Sequence, residues 1–296
     1  MKFSIILLAA AALVSGRGWA DNQEPAVNAG ETVLAMDGQT EGAELSAFGA
    51  SRGAGVIQIP VQKRASTKFA DGRLDEYIVF QYDQEDVLLL SQARYSASGV
   101  LVETVEFVYE NGRAVRKVTK DEQGRPHSMI SYQYNPQGLI TGETLADRNG
   151  RTLSSYEYQY DANGNRVVRI INNTRGGKLA ETSFAYRNGL LVSTETRDGT
   201  GRKTGSSENT YDIRGNRVTE RVFDARGDVV RIVNATWRDG LEATVERADA
   251  GGQVVLRETY EYGAYDELVR KTVEDIHSGM KKVIEYEYTF REEQRP

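Results

Sequence analysis

Turn signals recur in this chain about every 12 to 14 residues, and that spacing limits the fold more tightly than any other feature. One series of glycines runs Gly112, Gly138, Gly164, Gly189, Gly215 and Gly240, with 25 or 26 residues between members. Asp86 and Glu267 extend it at either end without glycine. A second series falls midway: Gly72, Gly99, Gly124, Gly150, Gly177, Gly201, Gly227, Gly252 and Gly279. Roughly eight or nine residues remain between turns, an ordinary strand length, and no helical period intervenes. Asn111-Gly112, Asn149-Gly150, Asn163-Gly164, Asn188-Gly189 and Asp239-Gly240 supply residues that tolerate the positive φ of tight hairpin turns. The expectation is an all-β, antiparallel up-and-down meander of about eighteen strands. Its two-strand repeats of about 25–26 residues would form a curled or barrel-like sheet.

Alternation along the strands assigns their faces. Tyr82, Tyr109, Tyr134, Tyr160, Tyr186, Tyr211, Trp237, Tyr262 and Tyr288 hold equivalent places just before the first series of turns. Two residues earlier stand Phe80, Phe107, Tyr132, Tyr158, Phe184, Asn209, Ala235, Tyr260 and Tyr286. Side chains two apart share one face of a strand, so alternate strands carry an aromatic stripe. The residues between are mostly polar, among them Gln81, Gln133, Gln159, Glu261 and Glu287. In the intervening strands charges recur at Lys117, Glu143, Arg169, Glu220 and Lys271. Opposite signs on next-but-one strands suit solvated rows and oppose uncontrolled edge pairing.

The motif Tyr-x-Tyr-Asp-x-x-Gly-x-Arg, seen at Tyr158 to Arg166, resembles the YD repeat of the RHS family. Asn209 to Arg217 matches it apart from the first Tyr, and looser copies run from about Phe69 to Phe290. The resemblance implies a continuous sheet of β-hairpin repeats, which in large members coils into a shell around a toxin. No terminal toxin domain is visible in this sequence, so a curled or barrel-like sheet is the part carried over.

The first residues read as a secretory signal. Lys2 provides the positive end, Phe3 to Val14 is apolar apart from Ser4 and small residues, and Gly18-Trp19-Ala20 offers a cleavage site. Residues 1–20 are therefore expected to be a signal peptide and 21–55 a flexible lead-in. Residues 56–291 would be the repeat domain and 292–296 a tail. The protein is expected to be exported, to the periplasm or the extracellular space, with no membrane span left after cleavage.

The chain has no cysteine, which excludes disulfides, Cys-ligated zinc and thiol nucleophiles. A formal net charge of −6 disfavours nucleic acid as a partner. His127 and His277 lie far apart, and no Gly-x-Ser-x-Gly motif accompanies them. Asp161, Asn163 and Asn165 form a turn rather than a closed cation loop. No catalytic residue, cofactor or metal is expected.

The expected function is a non-enzymatic binding or scaffold protein of the cell envelope. Envelope polysaccharide or another protein would be its partner. The nine-member aromatic ladder, from Tyr82 to Tyr288 and including Trp237, is the candidate ligand platform. The alternatives are an outer-membrane β-barrel and an RHS-like toxin-associated shell component. In an open sheet, Val56 to Phe69 and Met280 to Phe290 would be edge strands available for self-association.

Overall fold

The structure, a computed structural model, describes residues 56–294. The expected signal segment and the 21–55 lead-in lie outside them.

Among the described residues there are eighteen strands and no helix. The first six are β1 (Val56–Phe69), β2 (Leu74–Tyr82), β3 (Leu89–Ser96), β4 (Leu101–Glu110), β5 (Arg113–Asp121) and β6 (Pro126–Tyr134). Then come β7 (Ile140–Asp147), β8 (Thr152–Tyr160), β9 (Arg166–Asn173), β10 (Lys178–Arg187), β11 (Leu190–Asp198) and β12 (Lys203–Tyr211). The last six are β13 (Arg217–Asp224), β14 (Val229–Arg238), β15 (Leu241–Ala248), β16 (Val254–Tyr262), β17 (Leu268–Asp275) and β18 (Lys281–Gln294). Strand β18 thus runs to Gln294, into the stretch 292–296 expected to be a tail.

Each strand pairs antiparallel with its sequence neighbours, and β1 also pairs with β18 from Val56↔Gln294 to Phe69↔Lys282. The sheet is a closed barrel. The two expected edge strands are therefore each other's partners, and that pairing occupies the side on which self-association would have begun. At this seam Ala65, Ile78, Phe80 and Ile284 form the buried core, with Tyr82, Leu89 and Tyr286 packed against it. Burial of Ile78, Phe80 and Ile284 contributes roughly 1.5–3 kcal/mol each. Backbones approach one another only between adjacent strands, while side chains such as Lys282 and Asp75, 2.7 Å apart, reach across one strand along the same wall.

Register explains how the ring closes. Phe80 lies opposite Gln92, and Gln92 opposite Val105, two residues short of the repeat-equivalent Phe107. Tyr132 lies opposite Glu143, and Glu143 opposite Tyr156, again two short of Tyr158. The seam keeps the same step, since Tyr286 faces Ala65 and Ala65 faces Ile78, two short of Phe80. A constant stagger of this kind tilts the strands and brings equivalent residues level around a barrel.

The turns are of two kinds. Asn111-Gly112, Asn188-Gly189 and Asp239-Gly240 are two-residue turns with both residues left-handed, which matches the right-handed twist of the strands. Most others are built on one Asp. Asp161 accepts hydrogen bonds from the amides of Asn163 and Asn165, both at 2.9 Å, while Gly164 (φ 82°) turns the chain back. Asn149 and Asn163 belong to this second kind.

Two turn positions differ from the sequence reading. In Arg175-Gly176-Gly177-Lys178 the left-handed residue is Gly176 (φ 77°), not Gly177. At the last turn of the first series it is Asp266 (φ 61°), not Glu267. There the Asp position is taken by Gly263, and the carboxylate of Glu267 accepts the Tyr265 amide at 2.9 Å instead. A side chain on residue 263 would run into that carboxylate.

Candidate functional site

The nine ladder residues form a level ring just inside the rim made by the first series of turns, here the ladder rim. Every hairpin overhangs the one before it by the two-residue step. The ladder side chains bridge that overhang. Tyr109 donates to the Leu89 carbonyl at 2.8 Å, Tyr134 to Ala114 at 2.6 Å and Tyr160 to Ile140 at 2.6 Å. Tyr211 donates to Leu191 at 2.6 Å, the Trp237 indole N–H to Arg217 at 2.9 Å and Tyr288 to Leu268 at 2.9 Å. In all six the acceptor lies 20 residues upstream. The polar tips of these rings are spent on holding repeat to repeat, and their bodies are half-buried.

Of the remaining members, Tyr82 has Lys63 5.0 Å from its ring centre, and burial together with Asp86 pushes its hydroxyl up to about 12. Tyr262 is also pushed up to about 12, by burial and then by the charge of Glu242. Tyr186 is half-buried in the same row.

One strand step deeper, the structure corrects the sequence reading. Lys117, Glu143, Arg169, Glu220 and Lys271 are not solvated rows. They share the aromatic face, directly opposite Phe107, Tyr132, Tyr158, Asn209 and Tyr260 respectively. Glu143 and Glu220 are buried. Tyr158 donates to Glu143 at 3.0 Å, and Arg166, also buried and on this face, stands 4.2 Å over the Tyr158 ring. Burial holds the Lys117 ammonium below its usual range, partly offset by Glu143 and Glu103.

The row has one gap. Asn209 on β12 and Ala235 on β14 stand where other repeats place a ring. Ionic groups converge beside the gap around a small, partly open cavity of about 20 Å³, among them Arg217, Glu220, Glu242, Arg247 and Glu258, with Tyr260 next to them. Glu258 is bound by Lys271 at 2.7 Å, by the Tyr260 hydroxyl at 3.1 Å and by Arg247 at 3.6 Å. Burial opposes its ionisation, but Lys271 and Arg247 outweigh burial and hold its carboxyl below the usual range. Burial raises the Glu242 carboxyl, and Glu258 adds repulsion against the attraction of Arg217. Burial and the Glu258 charge raise the Tyr260 hydroxyl far above its normal value. Two carboxyls at one cavity are thus pushed apart in acidity, a pattern found at functional sites and in structural ion networks alike. The cavity has room for one water-sized occupant.

A larger recess, about 320 Å³ and open to solvent, lies at the seam on the opposite face. Phe69 and Val283 give it an apolar lining. Lys68, Glu285, Arg270 and Glu261 form a chain of ion pairs along it, at 2.5, 3.4 and 3.3 Å.

The Asp161 turn has both carboxylate oxygens engaged, one by two backbone amides and one by the Asn165 side chain at 2.9 Å. Among the described residues no three His, Cys, Asp or Glu side chains group as metal ligands. His127 and His277 are exposed near the opposite rim.

No family model matches the chain, and no curated protein does. Similar solved structures include a TcdB2–TccC3–Cdc42 complex, at 16% identity over 75% of this chain and TM-score 0.38. This chain spans 14% of the length of that one. A porin-like protein from Bacteroides uniformis is 14% identical over 77% of this chain and 98% of its own, with TM-score 0.45. A porin-like protein from Bacteroides vulgatus is 10% identical over 78% and 99%, with TM-score 0.32.

Proposed function

We propose that the protein is an exported, non-enzymatic binding or scaffold barrel of the cell envelope or extracellular space, working in water rather than within lipid. One observation carries this reading: the wall is charged on both faces at mid-height. The aromatic face bears Lys117, Glu143, Arg169, Glu220 and Lys271. On the opposite face Glu208 pairs across strands with Arg221 and Glu246 with Arg257. A lipid-spanning barrel needs an uncharged band on its outer face, and an Arg or Lys at the bilayer midplane costs roughly 2–4 kcal/mol. Neither face offers that band.

The ligand surface in this reading is the gap at Ala235 and the seam recess, rather than the whole ladder. Envelope polysaccharide or an envelope protein is the partner class. The full chain, purified without detergent, is expected to stay monodisperse and to retain one of these from fractionated envelope extract. Ala235→Tyr, which restores the missing ring, and Lys281→Glu at the seam separate the two surfaces. A chain that stays in solution only with detergent and inserts into vesicles would replace this reading with an outer-membrane barrel.

A second reading, an RHS-like shell component, draws on the YD-type motif and on a closed wall only one strand layer thick. Co-purification of a toxin polypeptide with the chain would favour it over the first.

A further inference from the structure

The two faces of the wall differ in exposure. On the aromatic face Ile78, Phe80 and Val105 are 8%, 5% and 8% exposed, while Val79 and Val108 on the other face are 38% and 42% exposed. Side chains crowd on the inside of a curved sheet and spread on its outside, so the aromatic face lines the bore. A barrel of eighteen strands leaves that bore open to water. The gap at Asn209 and Ala235 is therefore a break in the lining of the interior.

The repeat shows what is missing there. Arg217 and Asn209 each stand 51 residues after Arg166 and Tyr158. The Arg166 guanidinium lies 4.2 Å from the Tyr158 ring centre, so at the Arg217 counterpart a short amide occupies the place of a ring. Asn209 is 8% exposed. Its Nδ2 donates to the Leu191 carbonyl at 3.0 Å, which identifies the other branch of the amide as the oxygen. That Oδ1 is buried with no hydrogen-bond partner, an acceptor without a donor. A second such acceptor is Glu242, which lies opposite Trp237 and lines the cavity beside the gap. Among the described residues no hydrogen bond or ion pair reaches its carboxylate. Between the two acceptors the floor is apolar: Ala235 lies opposite Val245, and Val233 lines the same cavity.

We propose that the gap binds a planar aromatic ring carrying an O–H or N–H donor, a phenol or an indole, either free or as a Tyr or Trp side chain of a partner. The inference rests on the reading of the gap as a ligand surface. The ring would lie over Ala235 and the two valines, with the Arg217 guanidinium against its face as Arg166 is against Tyr158. Its donor, the size of a water, would enter the cavity and meet Glu242 or the Asn209 oxygen. Rings elsewhere in this row already behave so: Tyr158 donates to Glu143 and Tyr260 to Glu258. An aliphatic ligand would leave both acceptors unmet, and a sugar offers donors but no π face to the guanidinium. An extended peptide backbone finds no free strand edge at this point of a closed barrel, so a protein partner would have to engage through a side chain.

The test is titration of the full chain, by calorimetry and saturation-transfer NMR, with p-cresol, indole and N-acetyltyrosinamide, and with toluene as a ring without a donor. The donor-bearing rings should bind, and toluene should bind roughly tenfold more weakly or worse. Tighter binding of N-acetyltyrosinamide than of p-cresol assigns the site to a partner's side chain, and the reverse order to a free molecule. Ala235→Tyr and Asn209→Tyr each write the row's usual ring into the gap and should abolish binding. If either loses its β-sheet circular dichroism, the other carries the test. Glu242→Gln exchanges a charged acceptor for a neutral one and should weaken binding severalfold. Val108→Tyr, which adds a ring to the outer face, should leave binding unchanged. Equal binding of toluene and p-cresol, undiminished binding by Ala235→Tyr, or no binding of any donor-bearing ring would overturn the proposal. Capture of an envelope glycan with none of these rings bound would also overturn it, while leaving the envelope reading in place. A chain that needs detergent would end the reading of a barrel working in water, and the same titration in detergent would still decide this one.

Discussion

The indole N–H of Trp237 donates to the carbonyl of Arg217 at 2.9 Å, the same bond across the same 20-residue interval that five tyrosine hydroxyls make elsewhere in the ring. The odd residue of the ladder is thus a structural equivalent of its neighbours. Trp237→Phe, which keeps a ring and drops the donor, should cost about 1 kcal/mol. Trp237→Ala should cost about 3 kcal/mol. Urea unfolding midpoints would measure both. If Trp237→Phe left stability untouched while abolishing ligand capture, the ring would be a platform after all.

The paired carboxyls at the gap predict opposite pH dependences. Glu258 is held below its ordinary value near 4.5, so its contribution is present above that pH and is lost as pH falls through the lowered value. Glu258→Gln should destabilise at pH 7 and less so in acid. Glu242 is raised, so its contribution is present below about 4.5 and is lost as pH rises through the raised value. Glu242→Gln should therefore stabilise at pH 7, with no gain in acid. Thermal melts of both variants across the acid range would read the two signs.

The exchanged turn at Gly263 and Glu267 predicts a compensating pair. Gly263→Asp alone writes the usual turn residue into a space already filled by the Glu267 carboxylate, and it should destabilise. Gly263→Asp with Glu267→Asn recreates the arrangement of Asp161 and Asn165 and should recover most of the loss. A double-mutant cycle on unfolding free energies would show a coupling of about 1 kcal/mol or more.

At the seam, Ile284→Ala should cost about 2–5 kcal/mol, since Ile284 is 3% exposed and packs in the core that joins the two ends of the sheet. Ile276→Ala, on an exposed turn, should change stability by no more than about 0.5 kcal/mol. Equal effects at the two sites would mean that closure adds nothing to the fold.

Strand number and the two-strand repeat were legible because turn chemistry is local: Gly, Asn and Asp punctuate the chain wherever it must reverse. The misreadings arose where local chemistry offers a choice. Gly176 and Gly177 both tolerate a left-handed φ, and only the register shows which one takes it. Asp266 adopts that conformation without glycine, as Asp residues do more readily than most.

The charges opposite the aromatic stripe were visible, but their side was not. A bulge such as that between Val108 and Tyr109 shifts the count by one, and one residue moves a side chain to the other face. Closure depends on the accumulated stagger of every repeat, which no single strand contains. The gap at the candidate site did leave a mark in the sequence, where Asn209 and Ala235 interrupt an otherwise aromatic column.

The constant two-residue step has a consequence for how such a molecule can change size. Each hairpin meets only its neighbours and always in the same register, so no hairpin senses how many others stand in the circle. Inserting one more copy would widen the tube by two strands and leave strand tilt and wall construction as they were. Girth is here a tally of duplicated units, and a lineage could alter the bore of this vessel by gene duplication without redesigning a single contact beyond the closing pair.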